Sequence, residues 1–249
     1  MTATINPPAG VPALRRVDPV ERLADYERAL SFYVGLPPSV VNRIVFAENS
    51  NADLGSLRAI ADRAGGEGGK DVELVSFDGL DYPVAHGRAV GEMRLIETAL
   101  SRSRLLAALG EDEPFWKVTG RLRFTNLARL IETAPDGAAL YVDFRRYPRP
   151  WVDTRVFAST PRAFRQLFVP RVELLRQDEL ERAGFSAPEE RLFGELLPER
   201  ERARIAPRLR FEPRIEGHSG QGEDYARPAR RAWATTRAIV RRVCPPLWI

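Results

Sequence analysis

Arg43-Ile44-Val45-Phe46-Ala47 and Val72-Glu73-Leu74-Val75-Ser76-Phe77 are short, largely apolar runs of the kind that form buried strands. Asp53 lies between them, where a helix is expected to begin. A strand, a helix and a second strand in this order predict parallel pairing, because the connection has to cross back over the sheet. Residues 43–77 therefore predict an α/β fold.

The same alternation extends on both sides of this unit. Residues 2–5 form a β-prone run, and Asp18-Pro19 is typical of a helix N-cap with proline in the first turn, opening a helix to about Val34. Further elements are predicted over residues 90–109 (helix), 115–119 (strand), 126–133 (helix) and 139–144 (strand). Beyond Pro161 the chain is predicted to be mainly helical. We expect a mostly parallel sheet sandwiched by helices, with a helical C-terminal part.

Composition favours an ordered globular protein with an anionic ligand. The 249 residues are 44% hydrophobic and 29% charged, which is ordinary for a chain that can bury a core. A formal net charge of +4 suits an anionic ligand or an anionic membrane surface. It is too small to predict nucleic-acid binding without a motif, so no nucleic acid is expected among the partners.

Few residues are available for metal or redox chemistry. Cys244 is the only cysteine, which excludes an internal disulfide and a cysteine-based metal site. His86 and His218 are the only histidines, which leaves little for zinc chemistry or a histidine-centred triad.

The N-terminus lacks the pattern of a signal peptide, and no apolar run reaches the roughly 18 residues of a membrane span. A cytoplasmic location is expected.

The segment Phe115-Trp116-Lys117-Val118-Thr119-Gly120-Arg121 carries the most informative polar residues. Of the 38 basic residues only Lys70 and Lys117 are lysines. An ammonium in an apolar run can contact a phosphate or carboxylate as a point charge. The Thr-Gly-Arg that follows adds a hydroxyl, a backbone that a ligand can approach and a fork-shaped anion receptor. The alternative is a lysine that reaches solvent from a strand end, with Gly120 serving only a turn.

Polar residues also follow the carboxyl ends of the other predicted strands. In an open α/β sheet these ends meet at one edge, where ligands bind. Each position taken alone is also explained by a turn or a helix cap. Together they predict a polar, anion-tolerant site. The positions are Asn6, Glu48, Asn49, Ser50, Asn51, Asp78, Lys117, Thr119, Arg121 and Asp143.

Three further segments carry candidate site residues. Residues 86–92 form a glycine-containing loop whose N–H groups can receive a phosphate where it enters a helix, although Glu92 in the first turn would already complement the helix dipole. Asp153, within residues 151–155, is a candidate catalytic carboxylate, metal ligand or arginine-paired structural acid. Residues 216–222 form a glycine-rich loop that is either functional or a linker.

In chain order, these segments resemble a family of bacterial proteins found with surface-polysaccharide genes and regarded as GT-A-like glycosyltransferases. The segments concerned are Asn6-Pro7 and residues 46–51, 91–92, 115–121, 151–155 and 216–220. The resemblance covers roughly residues 1 to 225, and residues 115–121 are its most specific part. It implies a GT-A-like fold and transfer of a sugar from a nucleotide-sugar donor to a glycan or lipid-linked acceptor.

The resemblance also implies roles for individual residues. Asp153 is the first choice and Glu92 the second for the carboxylate that takes the acceptor proton in an inverting reaction. The nucleotide and its diphosphate would be bound by Thr4, Asn6, Glu48, Asn49, Ser50, Asn51, Lys117, Thr119, Gly120 and Arg121. Other parts of the substrates would be contacted by Arg155, Glu216, His218 and Ser219.

The chain departs from that family in its metal site. GT-A enzymes usually hold Mg²⁺ or Mn²⁺ through an Asp-x-Asp pair, whereas the nearest substitute here is Asp153-Thr154-Arg155. A requirement for Mg²⁺ or Mn²⁺ is therefore open, and Lys117 and Arg121 can neutralise the leaving diphosphate instead. The alternative functions are a nucleotidyltransferase of the same fold and a non-catalytic carbohydrate- or membrane-binding protein.

Residues 229–243 are predicted to form a basic amphipathic helix. Its apolar side chains include Trp233, Ile239 and Val243, and five arginines occupy much of the opposite face. Such a helix either packs on its own domain or attaches the protein to the inner membrane face, where a lipid-linked acceptor is found. We accordingly expect a catalytic domain over residues 1–225 and a helix and tail over 226–249, with peripheral contact with the inner membrane as the alternative to packing of the helix.

Overall fold

The computed structural model describes residues 1–67, 69–244 and 247–248. Strands and helices alternate over the first half, and the second half contains both strands and helices. The strands are β1 (Thr2–Ala3), β2 (Arg43–Glu48), β3 (Asp71–Ser76), β4 (Phe115–Val118), β5 (Arg123–Phe124), β6 (Leu140–Arg145), β7 (Trp151–Ser159), β8 (Ile205–Ala206) and β9 (Ile215–Glu216). The α-helices are α1 (Pro19–Val34), α2 (Gly55–Glu67), α3 (Gly87–Arg102), α4 (Arg104–Ala107), α5 (Leu127–Glu132), α6 (Pro161–Leu167), α7 (Gln177–Arg182), α8 (Pro188–Leu196) and α9 (Pro228–Val243).

Three strands form a parallel sheet in the order β1-β2-β3. β2 and β3 pair in register over six residues each, and α2 connects them as the strand–helix–strand pattern predicts. The carboxylate of Asp18 accepts hydrogen bonds from the N–H groups of Val20 and Glu21, so the predicted N-cap of α1 is confirmed. The α/β prediction is confirmed for this part of the molecule.

A second, four-stranded sheet has the order β4-β7-β6-β8 and is mixed. β7 runs antiparallel to both β4 and β6, while β6 and β8 are parallel. The prediction of a mostly parallel sheet is therefore wrong for this half. β7 has no counterpart among the predicted strands, because Pro148 and Pro150 precede it and its first half carries Asp153 and Arg155, which is atypical of a buried strand.

The two sheets meet where β1 lies beside the end of β4. Thr2 pairs in parallel with Thr119, and the N–H of Gly120 donates to the carbonyl of Thr2 over 2.9 Å. A Cβ on Gly120 would lie 2.5 Å from that oxygen, so the close approach requires glycine. The carboxyl ends of β1, β2, β3 and β4 and the start of antiparallel β7 consequently lie along one edge.

Helices cover both faces of the strands, because alternate side chains of one strand point to opposite faces. Leu140, Val142 and Phe144 of β6 belong to one apolar cluster with residues of α3, α6 and α8. Tyr141 belongs to a second cluster with residues of α1 and α2. The expectation of a sheet between helices is confirmed in this coarse sense.

The helices depart from the predicted ones mainly in their bounds. α9 matches the predicted C-terminal helix. The single helix predicted over residues 90–109 begins earlier, at Gly87, and is divided at Ser103, whose hydroxyl accepts from Leu106 N over 3.1 Å and thereby caps α4. Glu92 accordingly lies in the second turn of α3, so the prediction that it complements the helix dipole from the first turn is wrong.

Candidate functional site

A cleft of about 1230 Å³ opens at the edge where the strand ends meet. It exceeds the ~300–1000 Å³ that is usual for small-molecule sites, so it has room for a ligand as large as a nucleotide sugar. Its walls come from the ends of β1 and β4, the start of β7, the first turns of α3 and α8, the segment around residues 212–225 and one side of α9.

Lys117 lies behind the cleft wall with only 2% of its side chain exposed. Its Nζ donates to Glu92 Oε1 (2.8 Å), Thr119 Oγ1 (3.0 Å) and the carbonyl of Thr154 (2.6 Å). Burial lowers the pKa of Lys117, and the Glu92 carboxylate opposes that shift. Because an ammonium has three protons and all are used, the geometry argues against the predicted contact of Lys117 with a diphosphate. Its position instead fixes Glu92.

Lys117→Met is expected to lower the free energy of unfolding by about 2–3 kcal/mol. The loss lies below the range for a fully buried pair because a quarter of the Glu92 side chain is exposed (25%). Urea denaturation measures it. Adding Glu92→Gln should restore part of the stability, since the double variant leaves no unpaired carboxylate. A double variant that is as unstable as the sum of the singles would contradict the pairing.

Asp153 is fully buried, and both of its oxygens are occupied. Oδ1 accepts from Arg155 Nε (2.7 Å), while Oδ2 accepts from Arg155 Nη2 (2.6 Å) and Arg145 Nη2 (2.9 Å). Burial raises the pKa of Asp153, but the Arg155 and Arg145 guanidiniums outweigh it and hold the pKa well below its usual range. Such a carboxylate is a weak base. The geometry therefore argues against Asp153 as the group that takes the acceptor proton, and identifies it as an arginine-paired structural acid.

A network of buried charges extends from Asp153 under the cleft. Arg145 Nε donates to Asp143 Oδ2 (2.9 Å), and Arg241 Nη1 donates to Asp143 Oδ1 (2.7 Å). Arg241 Nη2 also donates to Glu212 Oε2 (2.8 Å). β6, β7, the segment before β9 and α9 are thereby joined by charge-assisted hydrogen bonds.

Glu48 and Asn49 are buried and hold the loop that follows β2. Glu48 accepts from the N–H groups of Ile5 (3.0 Å), Ser50 (2.9 Å) and Ala52 (3.1 Å). Asn49 Oδ1 accepts from the Thr4 hydroxyl over 2.6 Å. The geometry argues against the predicted nucleotide contact of Glu48, because a fully buried carboxylate used by the backbone presents no atom to a ligand.

The other residues predicted around that loop lie at its outer edge. Asn6 N donates to Ser50 Oγ over 2.9 Å, and Asn51 is exposed with a φ of 50°. Asn6, Ser50 and Asn51 do not line the large cleft. Their predicted role in nucleotide binding stays a prediction.

The structure brings most of the remaining predicted residues to the cleft wall. Glu216 also pairs with Arg123 over 3.0 Å, and Ser219 Oγ accepts from the N–H groups of Gln221 and Glu223. His218 is not part of the wall; its Nδ1 lies 3.9 Å from Asp25 Oδ1. The predicted residues that line the cleft are Thr4, Glu92, Thr119, Arg121, Asp153, Arg155, Glu216 and Ser219.

Arg88 and Arg121 are adjacent in the cleft wall, and neither has a carboxylate partner in the described part of the chain. Arg121 donates through Nε to the carbonyl of His218 over 3.0 Å, and Arg88 opens to solvent in the cleft. Both guanidiniums lie against buried Gly220, where an added Cβ would contact Arg88 Nη1 and come within 3.1 Å of Arg121 Nη2. Two adjacent cations that lack an acidic partner form a receptor for an anion.

Glu189 also lines the cleft, in the first turn of α8. Burial raises the pKa of Glu189, the Glu92 and Asp153 charges raise it further, and the Arg88 guanidinium opposes them. No sequence prediction included it, because an acidic residue beside Pro188 at a helix start is ordinary dipole complementation. Arg88 lies in the glycine-containing segment 86–92, which the sequence already identifies as a candidate phosphate site. That prediction concerned backbone N–H groups, whereas in the structure the Arg88 side chain faces the cleft.

Comparison with known proteins adds no relative. No family model matches this chain, and no curated protein does. Among the described residues, no three histidine, cysteine, aspartate or glutamate side chains come together as a metal site. Within the same residues, no helix combines the length and the apolar character needed to cross a bilayer.

Proposed function

We propose that this protein is a glycosyltransferase with a GT-A-like fold, which moves a sugar from a nucleotide-sugar donor to an acceptor. The observation that carries the proposal is the pair of Arg88 and Arg121, without acidic partners, at the edge where parallel strands end. That edge is where open α/β sheets bind ligands, and paired guanidiniums suit a diphosphate. The strand sequence β3-β2-β1-β4, continued by antiparallel β7, supports the GT-A-like assignment.

In this proposal the two arginines stabilise the leaving group. The bond between the anomeric carbon and the diphosphate oxygen breaks with its electron pair remaining on the diphosphate, whose added charge lies against Arg88 and Arg121. Asp153 does not fit a divalent cation, because its two oxygens already accept from the guanidiniums of Arg145 and Arg155. The charge of the leaving diphosphate is therefore neutralised by the two guanidiniums.

Glu189 is the group we propose as the general base. The acceptor hydroxyl attacks the anomeric carbon and gives its proton to the Glu189 carboxylate. A carboxyl whose pKa is raised toward neutrality is a stronger base than one held low. Glu92 is the second choice, because Lys117 and Thr2 occupy its Oε1 and its pKa is lowered despite burial.

Arg88→Ala and Arg121→Ala are each expected to weaken nucleoside diphosphate binding on the order of 10- to 100-fold, since each removes a charged hydrogen bond worth ~1.5–3 kcal/mol. Isothermal titration against a panel of nucleoside diphosphates measures this, with EDTA in a parallel series. Arg94→Ala is the matched control, because Arg94 lies on the same helix but pairs with Glu173. If all three variants lose the same affinity, or if EDTA abolishes binding to the wild type, Arg88 and Arg121 are not the groups that bind the diphosphate.

The reaction itself is tested with a panel of nucleotide sugars. Release of a nucleoside diphosphate, dependent on Arg88 and Arg121, is the expected result. Release of pyrophosphate from a nucleoside triphosphate and a sugar phosphate would identify a nucleotidyltransferase instead. Failure of the wild-type protein to bind any nucleotide would overturn the proposal.

A further inference from the structure

α9 is attached to the rest of the molecule through its arginines. Arg241 is buried and donates to Asp143 and Glu212. Arg237, one turn earlier, donates through Nε to Glu212 Oε1 over 2.7 Å. Residues four apart share one side of a helix, so the inward side of α9 is a charged one. This is the reverse of the usual surface helix, which turns its apolar side inward.

The outward side of α9 carries apolar side chains that nothing in the described chain covers. Ile239 is 58% exposed and Val243, one turn later, is 77% exposed. We call Ile239 and Val243 the outer face. Removing the outer face from water is favourable, because each Å² of apolar surface that is buried contributes roughly 25 cal/mol of free energy.

The charges beside the outer face are positive. α9 contains no acidic residue. At about 100° per residue, Arg242 lies about 60° from Ile239 around the helix axis and is exposed. Arg231 is also exposed and lies about 80° from Ile239 on the same side, where its Nη2 is 3.6 Å from Glu216 Oε1. An apolar stripe bordered by arginines is complementary to a surface with an apolar interior and anionic head groups. Two copies of the helix packed face to face would instead bring these arginines together.

We propose that the outer face of α9 docks on an anionic lipid bilayer. The helix lies in the plane of the head groups, with Ile239 and Val243 inserted and Arg242 against lipid phosphates. The neighbouring side of α9 lines the cleft with Trp233, Ala234 and Ala238, so docking sets the cleft mouth beside the lipid surface. The inference does not depend on the proposed sugar transfer.

Co-sedimentation of the full chain with vesicles tests the inference. Phosphatidylcholine vesicles with and without phosphatidylglycerol are the two arms, and binding is expected only with phosphatidylglycerol and only at low salt. Ile239→Ser with Val243→Ser is expected to lower the partition coefficient on the order of tenfold. Arg242→Gln is expected to lower it about fivefold, the equivalent of ~1 kcal/mol.

Matched controls come from elsewhere on the surface. Val20 of α1 is as exposed as Val243, at 77%, and Arg58 of α2 is also exposed, so Val20→Ser and Arg58→Gln should leave binding unchanged. All substituted side chains are solvent-exposed, which keeps the fold intact. Deletion of α9 is avoided, because it would strip Asp143 and Glu212 of Arg241.

Three outcomes would overturn the inference. The wild-type protein remains in the supernatant with anionic vesicles, or the outer-face variants bind as well as Val20→Ser does. The third is a wild-type dimer, seen by analytical ultracentrifugation without vesicles, that Val243→Ser dissociates, because the outer face would then be covered by a second copy.

Discussion

Replacing Arg241 with methionine is expected to lower the free energy of unfolding by about 3–5 kcal/mol. Arg241 is the buried partner of both Asp143 and Glu212, at 2.7 and 2.8 Å. Methionine keeps much of the side-chain volume and removes the charge, so two buried carboxylates lose a partner at once. Arg145 remains beside Asp143, which keeps the loss within the range for a single broken pair.

Arg242→Met is the matched control, because it makes the same chemical change one residue later on the exposed side of α9. Its effect should stay within about 0.5 kcal/mol. Urea denaturation followed by circular dichroism measures both. Equal midpoints for the two variants would show that the buried pairs contribute nothing net to stability.

The destabilisation by Arg241→Met should depend on pH in a defined direction. Burial raises the pKa of Asp143, but Arg241 and Arg145 outweigh it and hold the pKa below its usual range. A lowered pKa contributes stability above the unfolded value, near pH ~4, that is lost as pH falls through the folded value. Without Arg241 that contribution shrinks, so wild type and variant should converge as the pH falls below about 4.

Glu189→Gln is expected to reduce turnover about 10²- to 10⁴-fold while nucleoside diphosphate affinity changes little. The amide keeps the size of the carboxyl but cannot accept a proton. Because the pKa of Glu189 is raised, the wild-type rate should decrease with falling pH, with a midpoint above the ordinary glutamate pKa of ~4.3. This decrease at acidic pH should be absent from the pH–rate profile of the variant. A pH–rate profile with the best nucleotide sugar of the panel measures it.

Glu190→Gln is the control for Glu189. Its carboxylate accepts from Ser186 Oγ (2.8 Å) and N (3.1 Å) and does not line the cleft, so the substitution should leave the pH–rate profile unchanged. If Glu189→Gln retains full turnover while Glu92→Gln loses it, the base is Glu92 and the role assigned to Glu189 is wrong.

Periodicity and capping signals were enough to predict the elements of the first sheet, since each depends on neighbours in sequence. Asp18 caps α1 two residues away, and the apolar run at β2 is visible in any window. β7 was not predictable in this way, because the charges that make it look like a loop are neutralised by Arg145, on β6, and by one another.

The sequence likewise predicts only those features of the candidate site that depend on neighbouring residues. The position of Arg121 at a strand end was predictable, and it does line the cleft. Whether a charged group is free for a ligand was not predictable, because that depends on distant partners. Lys117 donates a hydrogen bond to the carbonyl of Thr154, 37 residues away, and Asp143 is paired with Arg241, 98 residues away. Glu189 became visible only once α8 was placed beside Arg88 and Glu92.

The burial of Lys117 has a practical consequence for chemical labelling. Lys70, the only other lysine, is buried too, and its Nζ donates to the carbonyl of Val41 over 2.7 Å. Both lysine side chains are therefore largely shielded from solvent in the folded protein. Acylating reagents such as succinimidyl esters can reach these amines only when the structure opens locally. The two acylation rates then report separately on opening behind the cleft, at Lys117, and at the start of β3, beside Lys70.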